Sequence, residues 1–545
     1  MPAGVSTAHA AGLPAAFDLR DRGVVTSVKN QSPWGSCWAF GGCGAAEISI
    51  LTRMGLTDAQ FKKKYGRALN LSEKQLNWWT YHHVPESVSK KQAGEGVYLF
   101  EENAKDKLAR NTAYDVGGTP FNVTSVFSSG IGPSLETGIL RYHGFDAKGR
   151  PSGDTKADWT LPDESMAGYS FQLTDGNVLP APAIWEDELD ENGQPVYIGY
   201  NADATEAIKR ELYKGRGVNI VYKADISQPQ ELESGEVKRT YISEHWAQYV
   251  DEDFMPNHAV CAVGWDDNYP VENFNADHQP PGPGAFLIKN SWGTETADKK
   301  SHNYHEGYGM LDEQGRHTGY FWLSYYDKSI YMAESFDFLN ERATQDMIVG
   351  EYDMLQGGKD DDLRFADDGR KKRLMANVYE APADMRIYAV GADTYFPDTT
   401  VRFDVYDIDQ DYTHPTHGTM VASRTVTFPY AGYHRINLSG KHKIKKGDYY
   451  SVVVTQTIKT GKGKKYLATA PFGYGKKLAK MNGYPYYSKA VVNKGESFFG
   501  KVDKNGKIKW TDWTEVIKKE RKREKDFRLI EIDNFAIKAF SHPVE

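Results

Sequence analysis

Few residues in this chain can do covalent chemistry, and the cysteines are the scarcest of them. Three, Cys37, Cys43 and Cys261, serve 545 residues, and an odd count leaves at least one thiol free unless it pairs between chains. Cys37 opens the stretch SPWGSCWAFGGCGAAEISILTRMG, where Ala39, Phe40, Cys43, Ala46, Glu47 and Ile50 recur at helical spacing. A thiol with a pKa of about 8.5 is mostly neutral at pH 7, and a helix N-terminus or a neighbouring imidazolium lowers that value. At the head of this helix the Cys37 sulfur would sit where free backbone N–H groups converge, the setting of a nucleophile. The competing reading is a buried, inert cysteine. Cys43, six residues on, points almost to the opposite side of the helix, and Cys261 lies in the apolar run HAVCAVGWDD. Both read as packing thiols.

Other reactive groupings are weaker. The chain has 15 histidines but no H-E-x-x-H, no C-x-x-C and no other ligand cluster, which speaks against catalytic zinc. Asp407, Asp409 and Asp411 form a D-x-D-x-D run without the glycine and distal glutamate of an EF-hand. That run, and the group Asp360, Asp361, Asp362, Asp367 and Asp368, read as polar loops with calcium as the alternative. No Walker A motif is present, and no cofactor is expected.

QSPWGSCWAF resembles the active-site segment of the papain-like cysteine peptidases, whose pattern is C-G-[SA]-C-[WY]. His258 in NHAVCAVGW and Asn290 in IKNSWG follow in that family's order. LSEKQL (71–76) and the pair Gly117-Gly118 match further segments of its first lobe. The resemblance covers residues 17–338. It implies that Cys37 attacks, that His258 takes its proton and later gives it to the leaving amine, and that Asn290 holds the other ring nitrogen. It further implies that Gln31 joins the Cys37 N–H in an oxyanion hole, and that Trp292 shields the His258–Asn290 bond. Gly117, Gly118 and Trp292 would line the substrate cleft, although by themselves the two glycines also fit a simple turn. Departures accompany the match. Trp34 stands where the pattern has its first Cys, so the usual disulfide of this loop is absent. Both the Cys37–His258 and the His258–Asn290 intervals are long, filled by 143–200 and by the Pro-rich 268–284 loop.

Several elements must hold these residues. A helix over 36–54 carries Cys37 and ends at Gly55, and a second begins at LSEKQLNWW, with Ser72 and Gln75 at capping-box spacing. TEAIKRELYKGRG (205–217) predicts an amphipathic helix feeding the strand VNIVY. HAVCAVGWDD and AFLIKNSWG predict buried strands that bring in His258 and Asn290. The turn-rich 143–200 stretch reads as a surface insertion, and residues 1–16 as a flexible lead-in.

After Leu339 helical periodicity all but vanishes and short alternating runs take over, predicting an antiparallel β-sandwich. VIKKERKREKDFR (516–528) reads as a solvated loop or helix, with polyanion binding as the alternative. RIYAVGADTYFPDTTVRFDVY, INLSGKHKIKKGDYYSVVVT, GESFFG and WTDW resemble the lectin-like domain of some bacterial papain-family proteins, including clostridial surface-layer-processing peptidases. The expected architecture is therefore α+β: a two-lobed papain-like domain over 17–340, then a lectin-like β-sandwich over 341–545. Sugar binding does not follow from such a fold.

Composition narrows the classes further. With 40% hydrophobic and 26% charged residues and a net charge of −8, the chain reads as ordinary globular protein without a basic face for nucleic acid. No apolar run approaches the ~20 residues of a membrane span. The expected function is a cysteine endopeptidase acting on protein or peptide as a monomer, with a surface or glycan ligand for the accessory domain. The surface-layer resemblance implies export, although no signal peptide is legible in residues 1–17. An exopeptidase, with Asp251, Glu252 or Asp253 binding a peptide terminus, and a surface-binding protein on an inactive scaffold are the alternatives.

Overall fold

The computed structural model describes residues 12–544 apart from 100–110, 228–229, 232–236, 296–306, 341, 343–345, 355–360, 365–370, 409–411, 440–441, 462, 476–478 and 482–483. Its α-helices are α1 (Cys37–Met54), α2 (Asp58–Tyr65), α3 (Glu73–Thr80), α4 (Pro120–Ser128), α5 (Ala202–Tyr213) and α6 (Trp513–Arg523). The described residues fall into two compact units. One comprises those up to Glu73 with Gly117–Pro120 and Val178–Asn340; the other comprises Lys74–Val116, Phe121–Asn177 and Glu341–Glu545.

In the first unit the strands are β1 (Ala16–Asp18), β2 (Val218–Tyr222), β3 (Ala247–Gln248), β4 (His258–Asp266), β5 (Ala285–Lys289), β6 (Tyr320–Ser324) and β7 (Met332–Phe338). They run in the order β3-β6-β5-β4-β2-β7, with β1 added to β4. All pairs are antiparallel except β3 with β6. Register aligns His258 with Tyr222 and Cys261 with both Asn219 and Lys289. A bulge between Ala262 and Gly264 lets β4 change register on β5.

α1 is buried along nearly its whole length. It ends where Gly55 turns left-handed at φ 65° and its N–H returns to the Leu51 and Thr52 carbonyls. Its interior holds Gly41, Gly42 and Gly44, each costing about 1 kcal/mol of helix propensity against alanine. Close approach offsets that cost. A Cβ on Gly41 would lie 2.5 Å from Asn219 Oδ1 and 3.2 Å from the Val260 nitrogen, so the helix lies directly on β2 and β4. The short side chains bring the head of α1 against the strand that begins with His258.

In the second unit, residues after 341 form two large antiparallel sheets, beside a three-stranded one of Asp361–Arg364, Thr469–Tyr474 and Ile530–Ile532. The strands of the large sheets are β8 (Ile348–Gly350), β9 (Arg373–Glu380), β10 (Met385–Thr394), β11 (Thr399–Asp407), β12 (Thr419–Phe428), β13 (Ala431–Asn437), β14 (Tyr449–Thr460), β15 (Ser497–Val502), β16 (Ile508–Asp512) and β17 (Ile537–Pro543). One sheet runs β12-β11-β14-β9-β15-β16 and the other β13-β10-β17-β8. Val401, Phe403, Val452 and Val454 from the first share a core with Val390, Ile436, Ile537 and Ala539 from the second. This is the sandwich that alternation predicts.

One expectation changes, and one of two alternatives is selected. The 143–200 stretch is more than a surface insertion. Trp159 is fully buried, 5.5 Å from the Tyr114 ring and 5.2 Å from Tyr142, and Met166, Phe171 and Leu173 are also buried. Its turn residues mark short connections between packed segments. The run 516–528 is mostly helix: α6 starts at Asp512, whose side chain accepts from the Thr514 N–H, and gives way to a 3₁₀ turn at Asp526–Arg528. Of the acidic runs, Asp409, Asp411, Asp360, Asp367 and Asp368 lie outside the described residues.

Candidate active site

Cys37 is the first residue of α1. Ser36 makes no side-chain cap and the first turn holds no acidic residue, so Cys37 stands at the positive end of an 18-residue helix. The backbone N–H of Ala259, the residue after His258, and those of Trp38 and Cys37 itself favour the charged form of the sulfur. Cys37 keeps part of its surface exposed. Burial of the sulfur nevertheless pushes the thiol pKa up, and the three N–H groups only partly oppose this.

His258 begins β4 and is 5% exposed. Its Nε2 lies 2.8 Å from Asn290 Oδ1, just beyond the end of β5. An amide oxygen only accepts, so this contact puts the proton on Nε2 and leaves the lone pair on Nδ1. Asn290 Oδ1 also accepts from the Ser291 N–H at 2.7 Å, and the Asn290 backbone N–H donates to Gly319 O at 2.9 Å, so the side-chain oxygen and the backbone are each held. Trp292 lies on the imidazole, ring centroids 4.6 Å apart and planes 31° apart, covering the His258–Asn290 bond. Burial depresses the His258 pKa to about 4, against the raising effect of Asn290. Taken separately, the thiol and the imidazole are each neutral. Moving the proton from sulfur to imidazole creates two opposite charges at once, and their attraction counters the burial cost that each meets alone.

Gln31 reaches this site by an antiparallel bridge of its neighbour Asn30 with Trp292. Its N–H donates to Ser291 O at 2.8 Å, and the Ser291 hydroxyl donates to its Oε1 at 2.8 Å. Nε2 donates to Trp34 O at 3.1 Å. Ser291, absent from the sequence-based site, thus fixes which way the Gln31 amide faces. Gly118 packs on the residue after Cys37: a Cβ there would meet the Trp38 indole at 2.5 Å. Gly117 adopts φ 87°, a conformation that favours glycine. Cys37, His258, Asn290, Gln31, Trp292 and Gly118 are therefore tied through direct neighbours, and Gly117 adjoins them in sequence.

Beneath the site runs a buried ionic network that sequence reasoning missed. Glu47, fully buried in α1, accepts from Thr26 Oγ1 at 2.5 Å and from Lys29 Nζ and the Leu71 N–H at 2.8 Å. Lys29 also pairs with Glu73 at 2.6 Å, and Lys289 donates to Thr26 Oγ1 at 2.9 Å. Burial alone would raise the Glu47 pKa, but Lys29 and Lys289 outweigh it and hold the carboxyl below its usual range. Lys29 lies two residues before Gln31, Glu47 shares a helix with Cys37, and Lys289 directly precedes Asn290. The signal was a lysine closing the apolar strand AFLIK and a glutamate on the buried face of α1.

The carboxylates weighed for binding a peptide terminus are engaged elsewhere. Asp251 lies 2.7 Å from His278 Nδ1, Glu252 accepts from the Tyr241 hydroxyl at 2.9 Å, and Asp253 accepts from the Tyr197 N–H at 3.3 Å. All three cysteines are free, with Cys43 and Cys261 buried as expected.

Comparison with known proteins agrees with this arrangement. Residues 13–77 match the model of the papain family cysteine protease, and residues 363–541 that of the lectin like domain. A probable cysteine protease RD19D of Arabidopsis thaliana is 49% identical over 65 residues, covering 12% of this chain and 15% of the relative. Cathepsin J of Mus musculus is 32% identical over 116 residues, covering 20% and 35%. The chain thus spans well under half the length of these curated relatives. Among solved structures, the protease and lectin-like domains of Cwp84, a surface layer associated protein of Clostridium difficile, superpose with TM-score 0.59 at 19% identity, covering 98% of this chain and 89% of that one. A second structure of clostridial Cwp84, after propeptide cleavage, gives TM-score 0.59 at 20% identity, covering 97% and 99%. The chain thus carries a papain-family segment that includes Cys37 and, behind it, a lectin-like domain, on a fold it shares with Cwp84 over nearly its whole length.

Proposed function

We propose that this chain is a cysteine endopeptidase. The observation that carries the reading is a His258 ring whose Nε2 is held at 2.8 Å by Asn290, at the start of the strand on which α1, headed by Cys37, is packed. His258 Nδ1 takes the Cys37 proton, and the thiolate attacks the peptide carbonyl carbon. The Cys37 N–H and Gln31 Nε2 receive the oxyanion. His258 then passes its proton to the leaving amine, the C–N bond breaks and a thioester remains. Water, deprotonated by the same ring, hydrolyses it and returns the thiol. Gly117 and Gly118 present bare backbone to an extended substrate, and Trp292 keeps water from the His258–Asn290 bond.

Endopeptidase action is favoured over removal of terminal residues because Asp251, Glu252 and Asp253 already have partners. The lectin-like domain would hold a surface or glycan ligand, and the surface-layer association of Cwp84 supports a place outside the cell or on its surface. Among the described residues no helix is long and apolar enough to cross a membrane. Digestion of a library of end-blocked peptides tests the reading: internal cleavage that disappears in Cys37→Ala is expected. Cleavage only of peptides with a free terminus, or activity retained in Cys37→Ala, would overturn it.

A further inference from the structure

A groove of about 530 Å³ lies in the second unit, within the size range of ligand sites. One wall is a single face of α6, where Thr514, Ile517, Lys518, Arg521 and Lys522 recur at three- and four-residue steps. Arg528, from the 3₁₀ turn that follows, joins them, and Val492 and Ile532 contribute aliphatic surface. The groove is therefore apolar inside and basic at its rim.

Charge is sorted by face on this helix. Away from the groove, Arg523 pairs with Glu520 at 3.4 Å and Glu524 at 3.3 Å. Towards it, Arg521 lies 3.7 Å from Glu531 and donates to Ile530 O at 3.1 Å, while its buried Nε has no hydrogen-bond partner among the described residues. Lys518, Lys522 and Arg528 have no acidic partner among the described residues, although Arg528 Nε donates to the Arg521 carbonyl at 2.9 Å. Four cations thus meet one carboxylate, on a chain whose net charge is −8. A solvated helix surface would intersperse the two signs, as its outer face does.

We propose that this groove binds an acidic peptide segment whose aliphatic side chains enter the groove while its carboxylates meet Lys518, Arg521, Lys522 and Arg528. Two features favour peptide over sugar. No aromatic ring stands among the described lining residues, so a pyranose has no face to stack on. The Ile530–Ile532 strand is last in its antiparallel sheet, so one edge of it has no strand partner among the described residues and suits an extended chain. Arginine forks fit carboxylates, and lysines add point charge. The site needs none of the proposed cleavage chemistry.

Calorimetric titration of the full chain, carrying Cys37→Ala to keep the ligand intact, tests it. The probes are a blocked heptapeptide alternating Asp or Glu with Leu, the same peptide with Asn and Gln for every acid, and a sulfated heparin oligosaccharide. The acidic peptide should bind saturably, more weakly as salt rises. It should lose roughly tenfold in affinity in Lys518→Gln/Lys522→Gln. The amide peptide should not bind, and Lys519→Gln/Arg523→Gln, which removes equal charge from the outer face, should change affinity by less than about twofold. No binding of the acidic peptide, equal binding of the amide peptide, binding of the oligosaccharide alone, or equal loss in both double variants would overturn the proposal.

Discussion

At the scale of single residues, the roles divide between groups that touch the reacting atoms and groups that aim them. Gln31→Ala removes one oxyanion donor and should lower kcat by about 10²–10³ with the fold intact. Ser291→Ala leaves Gln31 in place but frees its amide, a loss worth about one hydrogen bond, so kcat should fall about fivefold with KM little changed. Steady-state kinetics of both variants on one peptide check the pair; equal losses would deny Ser291 a positioning role. pH gives a second check. The folded His258 pKa of about 4 is below the free value of about 6.5, so the ring stays a neutral base until pH falls through about 4. The acid limb of kcat/KM should lie near pH 4 rather than near 6.5. Stability follows the same sign: the His258 contribution is complete above about pH 6.5 and is lost as pH falls towards 4. Cys37, His258 and Asn290 were legible because only certain residue types at certain positions do this chemistry. Ser291 was not, since a serine hydroxyl gives no signal until its partner is seen.

At the scale of elements, α1 does two jobs, and different residues serve each. Its glycines let it lie on β2 and β4, and Glu47 ties it to the segments that carry Gln31 and Asn290. Glu47→Gln takes from the buried Lys289 its main compensating charge and leaves Lys29 with Glu73 alone, and should cost about 3–5 kcal/mol, read by urea denaturation. Because the folded Glu47 pKa is held low, its contribution is present above about pH 4.5 and is lost as pH falls through the lower folded value. Wild type should therefore lose stability below about pH 4.5 more steeply than Glu47→Gln. Helical periodicity made α1 legible to within a residue of both ends. The network was hidden because its members come from residues 26, 29, 47, 73 and 289, and no local pattern links them.

At the scale of the whole molecule, the compact units cut across the chain order. A join near residue 340 is what a change from helical to alternating pattern suggests. In the structure, however, 74–116 and 121–177 share a unit with 341–545. Gly96–Leu99 pairs antiparallel with Tyr484–Lys489, the Met354 N–H donates to Glu95 at 2.8 Å, and the Gly130 N–H donates to Glu351 at 2.8 Å. Truncation after residue 340 would strip these partners from the N-terminal half. Such a fragment should fail to give a cooperative unfolding transition, whereas the full chain should give one. A fragment that unfolds cooperatively with wild-type activity would show that the N-terminal half folds alone. Alternation made the sandwich legible, but pairing between residues almost 400 positions apart leaves no mark on local sequence.

The central claim is that Cys37 alone among the three thiols is a nucleophile activated by His258, and covalent labelling tests it most directly. The reduced protein, treated with a peptidyl epoxide and analysed by peptide mass spectrometry, should carry one adduct, on Cys37. Labelling should slow sharply in His258→Ala and vanish in Cys37→Ala. Modification of Cys43 or Cys261 instead, no adduct at all, or labelling at an unchanged rate without His258 would contradict the account.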